Sequence, residues 1–138
     1  MKIVKKNKKQ DIKIKKILVV DDHPAILDAM KYVLDDAGYA TEVSHTGESV
    51  AELSGELPDL IILDVLLSGR DGRDIVKALK SKESTCKIPV LMISARISAA
   101  ESVKKAGADD FLAKPFSIED LLKKIQMYLP ETQQEGVV

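Results

Sequence analysis

From about residue 15 to residue 129, short uninterrupted apolar runs alternate with longer stretches in which apolar residues recur every three or four positions. That alternation is the signature of βα units feeding a parallel sheet. The first run, 17–20, leads into a stretch with Ile26, Met30, Val33, Leu34 and Ala37 at helical spacing, with Pro24 suited to its first turn and Gly38 to its end. Residues 40–44 predict a second strand and 47–53 a short helix stopped at Ser54 and Gly55. The run 60–63 follows Pro58 and predicts a strand buried on both faces. A turn containing Gly69 and Gly72 then leads to a helix over 74–81, with Ile75, Val76 and Leu79 facing inward. Residues 88–94 predict the fourth strand, and 98–106 a weakly amphipathic helix stopped by Gly107. The fifth strand is placed at 110–113. The last helix opens at Ser117 with a capping-box-like start, carries the stripe Ile118, Leu121, Leu122, Ile125 and Leu129, and ends at Pro130.

Polar residues at the downstream ends of these runs carry the functional signal. Asp21 and Asp22 follow 17–20, Asp64 follows 60–63, Ser94 follows 90–93, and Lys114 follows 111–113. In an open parallel sheet those ends share one edge, where such folds place their sites. Three converging carboxylates repel one another and raise each other's pKa unless a cation neutralises them. Mg²⁺ suits this need, since it is held by few carboxylates, keeps several waters and binds phosphate oxygens. An Asp can itself accept a phosphoryl group, and Asp64, from the central strand, is the candidate, with Lys114 as a charge for the phosphoryl oxygens and Ser94 as a hydroxyl donor. Taken singly, each residue has a structural explanation: an N-cap for the Asp pair, a turn for Asp64, a cap for Ser94, a solvated charge for Lys114. Their joint placement, in order, on four of five strand ends points to chemistry.

Composition narrows the alternatives. At 138 residues with 45% hydrophobic and 31% charged positions, the chain predicts one soluble domain, with no apolar stretch long enough to span a membrane and no secretory leader in its basic start. A cytoplasmic location follows as the expectation. The net charge of −1 conceals a split: residues 1–16 hold eight Lys against one Asp, and the remainder is acidic. An acidic body lacks the basic stripe of a duplex-binding surface, so no direct nucleic-acid contact is expected. Residues 1–15 read as a solvated basic extension, 16–130 as the domain, and 131–138 as a tail. The single cysteine, Cys86, excludes an internal disulfide and reads as an inert loop thiol.

At these residues the chain resembles the receiver domain of two-component response regulators. The resemblance covers about residues 16–129 and rests on the run 17–22 ending in Asp21 and Asp22, the segment 60–72 containing Asp64, Ser94-Ala95, the segment 106–111, and Lys114-Pro115-Phe116. It implies a flavodoxin-like doubly wound α/β fold with five parallel strands in the order 2-1-3-4-5. It further implies Asp64 as phosphoacceptor from a sensor histidine kinase or histidine phosphotransfer protein. Asp22 would be a direct Mg²⁺ ligand, Asp21 a ligand acting largely through water, and the Leu66 carbonyl the backbone ligand. Lys114 would bind the phosphoryl group and precede a cis bond to Pro115, while Ser94 and Phe111 would form the switch pair. The output surface would be the fourth helix, fifth strand and fifth helix, facing a protein target, with the domain a monomer or a weak phosphorylation-dependent dimer.

The sequence departs from the family in places. Ser68 stands where Pro is usual, predicting a less rigid turn; Ser94 replaces the commoner Thr; Phe111 lacks a hydroxyl. A shortened interval between Ser94 and Lys114 predicts a short fourth helix or leading loop, and Leu66 and Arg96 are expected to tune the lifetime of the acyl phosphate. The short stretch after Pro130 leaves open a stand-alone regulator or a receiver excised from a larger chain. Two other classes stand beside this reading. One is an interaction module independent of phosphorylation, which the full residue set argues against. The other is an Asp-nucleophile hydrolase, which usually has a second Asp where Leu66 stands.

Overall fold

The computed structural model describes residues 14–51, 53 and 55–130; residues 1–13 of the expected basic extension over 1–15, and the tail over 131–138, lie outside the described residues. The expected units are present. Strands β1 (Lys16–Val20), β2 (Ala40–Ser44), β3 (Leu60–Asp64), β4 (Val90–Ser94) and β5 (Asp110–Ala113) form one parallel sheet in the order β2-β1-β3-β4-β5. Helices α1 (Pro24–Asp36), α2 (Glu48–Ala51), α3 (Gly72–Ser81) and α4 (Ala100–Ala106) connect the strands, and α5 (Ile118–Tyr128) follows the last of them. Among the described residues no helix is long and apolar enough to cross a membrane.

Strand period explains why the runs are continuous. Successive side chains point to opposite faces, so Leu18, Val20, Ile61, Leu63, Val90 and Met92 meet Val50 of α2, Ile75, Val76 and Leu79 of α3, and Val103 of α4. Their neighbours Ile17, Val19, Leu60, Ile62, Leu91 and Ile93 meet Leu27, Met30 and Leu34 of α1 and Leu121 and Ile125 of α5. Every residue of β3 and β4 is buried, because both faces are covered. β1 pairs with β2 on one side and β3 on the other. The direction of winding therefore reverses between β1 and β3, which opens a crevice at their carboxyl ends.

Several boundaries and faces differ from expectation. Leu27, not Ala37, completes the buried face of α1; Ala37 is its exposed C-cap, followed by Gly38 at φ +101. Helix α3 begins at Gly72 rather than Asp74 because the Asp71 carboxylate accepts from the Arg73 N–H and starts the helix earlier. Strand β4 starts at Val90 rather than Ile88. Of the expected helix over 47–53, Glu48–Ala51 is described as helical, and residues 47 and 53 lie outside it. A two-residue ribbon, Leu66–Leu67 against Arg70–Asp71, folds antiparallel around Gly69 at φ +75. Helix α4 has seven residues behind a single 3₁₀ turn at Ile97–Ala99, in keeping with the shortened interval. On α5, Ser117 Oγ caps by accepting from the Asp120 N–H at 3.0 Å, but Ile118 is exposed, because it lies in the first turn before the helix meets the sheet. Cys86 is a free, half-buried thiol.

Asp110 ties α5 to the edge strand. Its Oδ1 accepts from Lys124 Nζ at 2.9 Å and its Oδ2 from the Tyr128 hydroxyl at 3.0 Å. Burial opposes the Asp110 charge, but Lys124, the Phe111 N–H and Tyr128 outweigh it and hold the carboxyl below its ordinary value of 3.8. Burial and the same carboxylate push the Tyr128 phenol up to about 12. A depressed carboxylate stabilises the fold above the unfolded pKa, and that stabilisation is lost as pH falls through the folded one. Asp110→Asn is therefore expected to lower stability at pH 7 by about 1 kcal/mol. In urea unfolding series, the gap from wild type should close in acid and persist at neutral pH.

Candidate functional site

The carboxyl ends of β1 and β3 bring the predicted acidic residues together. Asp21 directly follows β1; its N–H donates to the Ser44 carbonyl at 3.1 Å, and its side chain is fully buried. Asp64 ends β3 and is nearly as buried. Lys114, one residue beyond β5, reaches across β4's end to both: its Nζ lies 3.1 Å from Asp21 Oδ2 and 3.2 Å from Asp64 Oδ2. The bond between Lys114 and Pro115 is cis, as the resemblance implies. Burial alone would depress the Lys114 ammonium, but the Asp21 hydrogen bond and the Asp64 and Asp21 charges outweigh it and raise its pKa.

Asp64 experiences the converse. Burial first, then the Asp21 charge, raise its carboxyl pKa, while Lys114 and the Leu66 N–H, 3.4 Å from Oδ1, pull against them.

Asp22 is held differently. Its Oδ2 accepts from Ser68 Oγ at 2.6 Å and Ser68 N at 2.9 Å, and the Ser68 hydroxyl is the leading reason its pKa falls. A proline at position 68 could donate neither bond, so the expected loose turn is instead tied to the site. The other oxygen, Asp22 Oδ1, is buried and accepts no hydrogen bond; its near polar neighbour is His23 Nδ1 at 3.2 Å. Donor atoms of Asp21, Asp22, His23 and Asp64 all lie within 4.8 Å of one another. A buried carboxylate oxygen that accepts no hydrogen bond, close to two further carboxylates, fits a divalent cation such as Mg²⁺.

His23 is absent from the expectations above. It is the N-cap residue of α1, and its N–H and Nδ1 contact Asp21 Oδ1 at 3.0 and 2.9 Å. The Asp21 hydrogen bond, followed by the charges of Asp21 and Asp22, raises its pKa. Its place immediately after the Asp pair was the available signal, but a histidine there reads equally as a solvated cap.

Ser94 ends β4 beside Asp64, since Asp64 pairs with Ile93 in register. It is buried, and its Oγ accepts from the Arg96 N–H at 3.0 Å. A cavity of about 370 Å³ opens there, bordered by Ser94, Leu66, Arg96, Arg73 and Ser98. Phe111 is not at this edge. Ser94 pairs with Ala113, and Phe111 lies opposite Met92, two residues back along β5 on the face that packs against α3 and α4. It is half-buried and lines a separate groove of about 270 Å³ with Ala100, Val103, Lys104 and Ala108. Leu66 lies in the ribbon next to the site, with its side chain exposed.

Comparison with known proteins agrees with this architecture. Residues 17–126 match the family described as the response regulator receiver domain. The response regulator MprA of Mycobacterium avium is 37% identical over 123 residues, covering 87% of this chain and 53% of that protein. The chain spans about half the length of the curated relatives it matches. A putative response regulator from Chloroflexus aurantiacus superposes with a TM-score of 0.80 at 34% identity, covering 86% of this chain and 100% of the other. The response regulator TrrA of Thermotoga maritima, solved in complex with Mg²⁺ and BeF, superposes with a TM-score of 0.76 at 28% identity, over 84% of this chain and 100% of that one.

Proposed function

The chain belongs to the response regulator receiver domain family, a regulatory domain of two-component signalling whose general partner is a histidine kinase, and we propose on that premise that Asp64 is its phosphoacceptor. The carrying observation is the buried Asp64 carboxylate at the β1/β3 crevice, with Lys114 bridging it to Asp21. In the transfer, a carboxylate oxygen of Asp64 forms the new P–O bond as the P–N bond of a phosphohistidine donor breaks, and the released imidazole recovers its electron pair. No general base is required, because an ionised carboxylate is the nucleophile.

The residues divide the work. Lys114 donates to the phosphoryl oxygens in place of one of its present carboxylate partners. Asp21, Asp22, Asp64 and the Leu66 carbonyl would hold Mg²⁺, which when bound would supply positive charge for both the carboxylate cluster and the phosphoryl group. Ser68 fixes Asp22, leaving Asp22 Oδ1 for that role. The Ser94 hydroxyl, which now accepts from the Arg96 N–H, turns to donate its O–H to a phosphoryl oxygen, and Phe111, on the same sheet face, follows toward the space that hydroxyl vacates. That shift in population re-forms the α4–β5–α5 surface for a protein target. We assign residues 16–130 to the receiver unit and place its work in the cytoplasm, as a monomer or a weak phosphorylation-dependent dimer.

Incubation with acetyl phosphate and Mg²⁺ tests the assignment by intact-mass spectrometry. Wild type is expected to gain the mass of a single phosphoryl group. Asp64→Asn, or wild type in EDTA, is expected to gain none, while equal labelling of the variant would refute Asp64 as acceptor.

A further inference from the structure

We infer that Arg73 latches the start of α4 to the phosphoacceptor loop, and that its hold on Ser102 favours the unphosphorylated surface. This rests on the reading that phosphorylation at Asp64 shifts the α4–β5–α5 surface. The Arg73 guanidinium is committed on two sides. Its Nε and Nη2 donate to Asp71 Oδ1 and Oδ2 at 2.9 and 2.7 Å, and its Nη1 donates to Ser102 Oγ at 3.0 Å. Asp71 pairs with Leu66 in the ribbon that follows Asp64, and the Gly72 N–H donates to the Val65 carbonyl. Arg73 therefore joins the loop behind the phosphoacceptor to the first turn of α4. This route is separate from the one through Ser94 and Phe111.

The start of α4 is poorly held by its own sequence. Neither Arg96, which precedes the 3₁₀ turn, nor Ala99, which precedes α4, supplies a side-chain cap. Open space flanks the tie as well: the cavity of about 370 Å³ beside Ser94, and a second of about 340 Å³ bordered by Asp74, Lys77 and Lys105, both have Arg73 and Ser102 in their walls. The turn Ile97–Ala99 thus sits between two polar contacts. Upstream, the Arg96 N–H donates to Ser94 Oγ; downstream, Ser102 Oγ accepts from Arg73 and donates to the Ala99 carbonyl at 3.0 Å. When Ser94 turns to the phosphoryl group the first contact opens, and the second still opposes movement of the turn. Its strength therefore sets how much of the population switches.

The test follows the backbone amides of the full chain by ¹H–¹⁵N NMR, without and with Mg²⁺ and beryllium fluoride, the combination in the TrrA structure. Wild type is compared with Ser102→Ala and Ser102→Thr; alanine suits a helix and removes the hydroxyl, and threonine keeps it. In Ser102→Ala without ligand, the β5 amides are expected to move along the line joining the free and ligand-bound positions of wild type. The affinity for beryllium fluoride is expected to rise about fivefold, since the competent state is more populated. Ser102→Thr is expected to return both to wild type, and Ser102→Ala to add nothing in an Arg73→Gln background. Wild-type amide positions and affinity in Ser102→Ala, or its full effect persisting beside Arg73→Gln, would overturn the latch alone. Wild-type β5 amides left unmoved by Mg²⁺ and beryllium fluoride would overturn it together with the switch reading beneath it.

Discussion

Lys114→Gln is expected to destabilise the metal-free protein by about 3 kcal/mol at pH 7, the range for breaking a buried ion pair from one side. Lys114 Nζ is the cation in contact with both Asp21 and Asp64, and those carboxylates are essentially buried. Without it, each keeps its desolvation cost and feels the other's charge. The loss should depend on conditions in a way that simple packing damage would not. Asp64 already has a raised pKa, so the native state holds its proton to higher pH than the unfolded chain does. Stability therefore increases as pH falls through the folded pKa toward the unfolded value near 3.8. Removing Lys114 raises the folded pKa further and steepens that gain. Mg²⁺ should act in the same direction at neutral pH, since free ligand at about 100 times its Kd contributes roughly 2.7 kcal/mol. Urea unfolding in EDTA and in Mg²⁺, at pH 7 and pH 5, measures both effects. Equal destabilisation in all four conditions would contradict the electrostatic account.

Gly72→Ala is expected to cost about 3 kcal/mol, the upper part of the range for overpacking. A Cβ on Gly72 would fall inside the contact distance of the Asp64 carbonyl oxygen and 2.9 Å from Met92 Cε. The methionine tip can yield, but the carbonyl cannot, because it belongs to the central strand β3, and the Gly72 N–H is itself fixed on the Val65 carbonyl at 2.7 Å. The displaced backbone carries the phosphoacceptor, so phosphoryl uptake should fall with stability. Chemical denaturation and labelling with acetyl phosphate check the two together. A variant of wild-type stability would show that α3 can withdraw from β3 without cost.

Both predictions rest on the strand ends, and those were the most legible part of the sequence. Continuous runs such as Leu60 to Leu63 mark strands buried on both faces, and once parallel, their ends had to share an edge. The register of Asp64 beside Ile93, and the reach of Lys114 to Asp21, follow from that edge. Features without periodicity were harder to read. The ribbon Leu66–Leu67 with Arg70–Asp71 is too short for any alternation to show. The start of α3 depends on the local Asp71 cap on the Arg73 N–H, which leaves no mark in the apolar periodicity. Ile118 fits the helical stripe of α5 but precedes the first contact with the sheet, so it stays exposed. Ser68 and His23 leave no signal in the pattern because their partners, Asp22 and Asp21, are brought to them by geometry: one 46 residues away across the crevice, the other by the turn into α1.

Borohydride reduction of the phosphorylated protein, followed by peptide mass mapping, bears most directly on the central claim. Hydride cleaves an aspartyl phosphate to homoserine, leaving a permanent mark at the acceptor. The account predicts homoserine at position 64, dependent on phosphodonor and Mg²⁺, with Asp21 and Asp22 unmodified; a reduced residue at 21 or 22, or none at 64 in protein shown to carry phosphate, would contradict it.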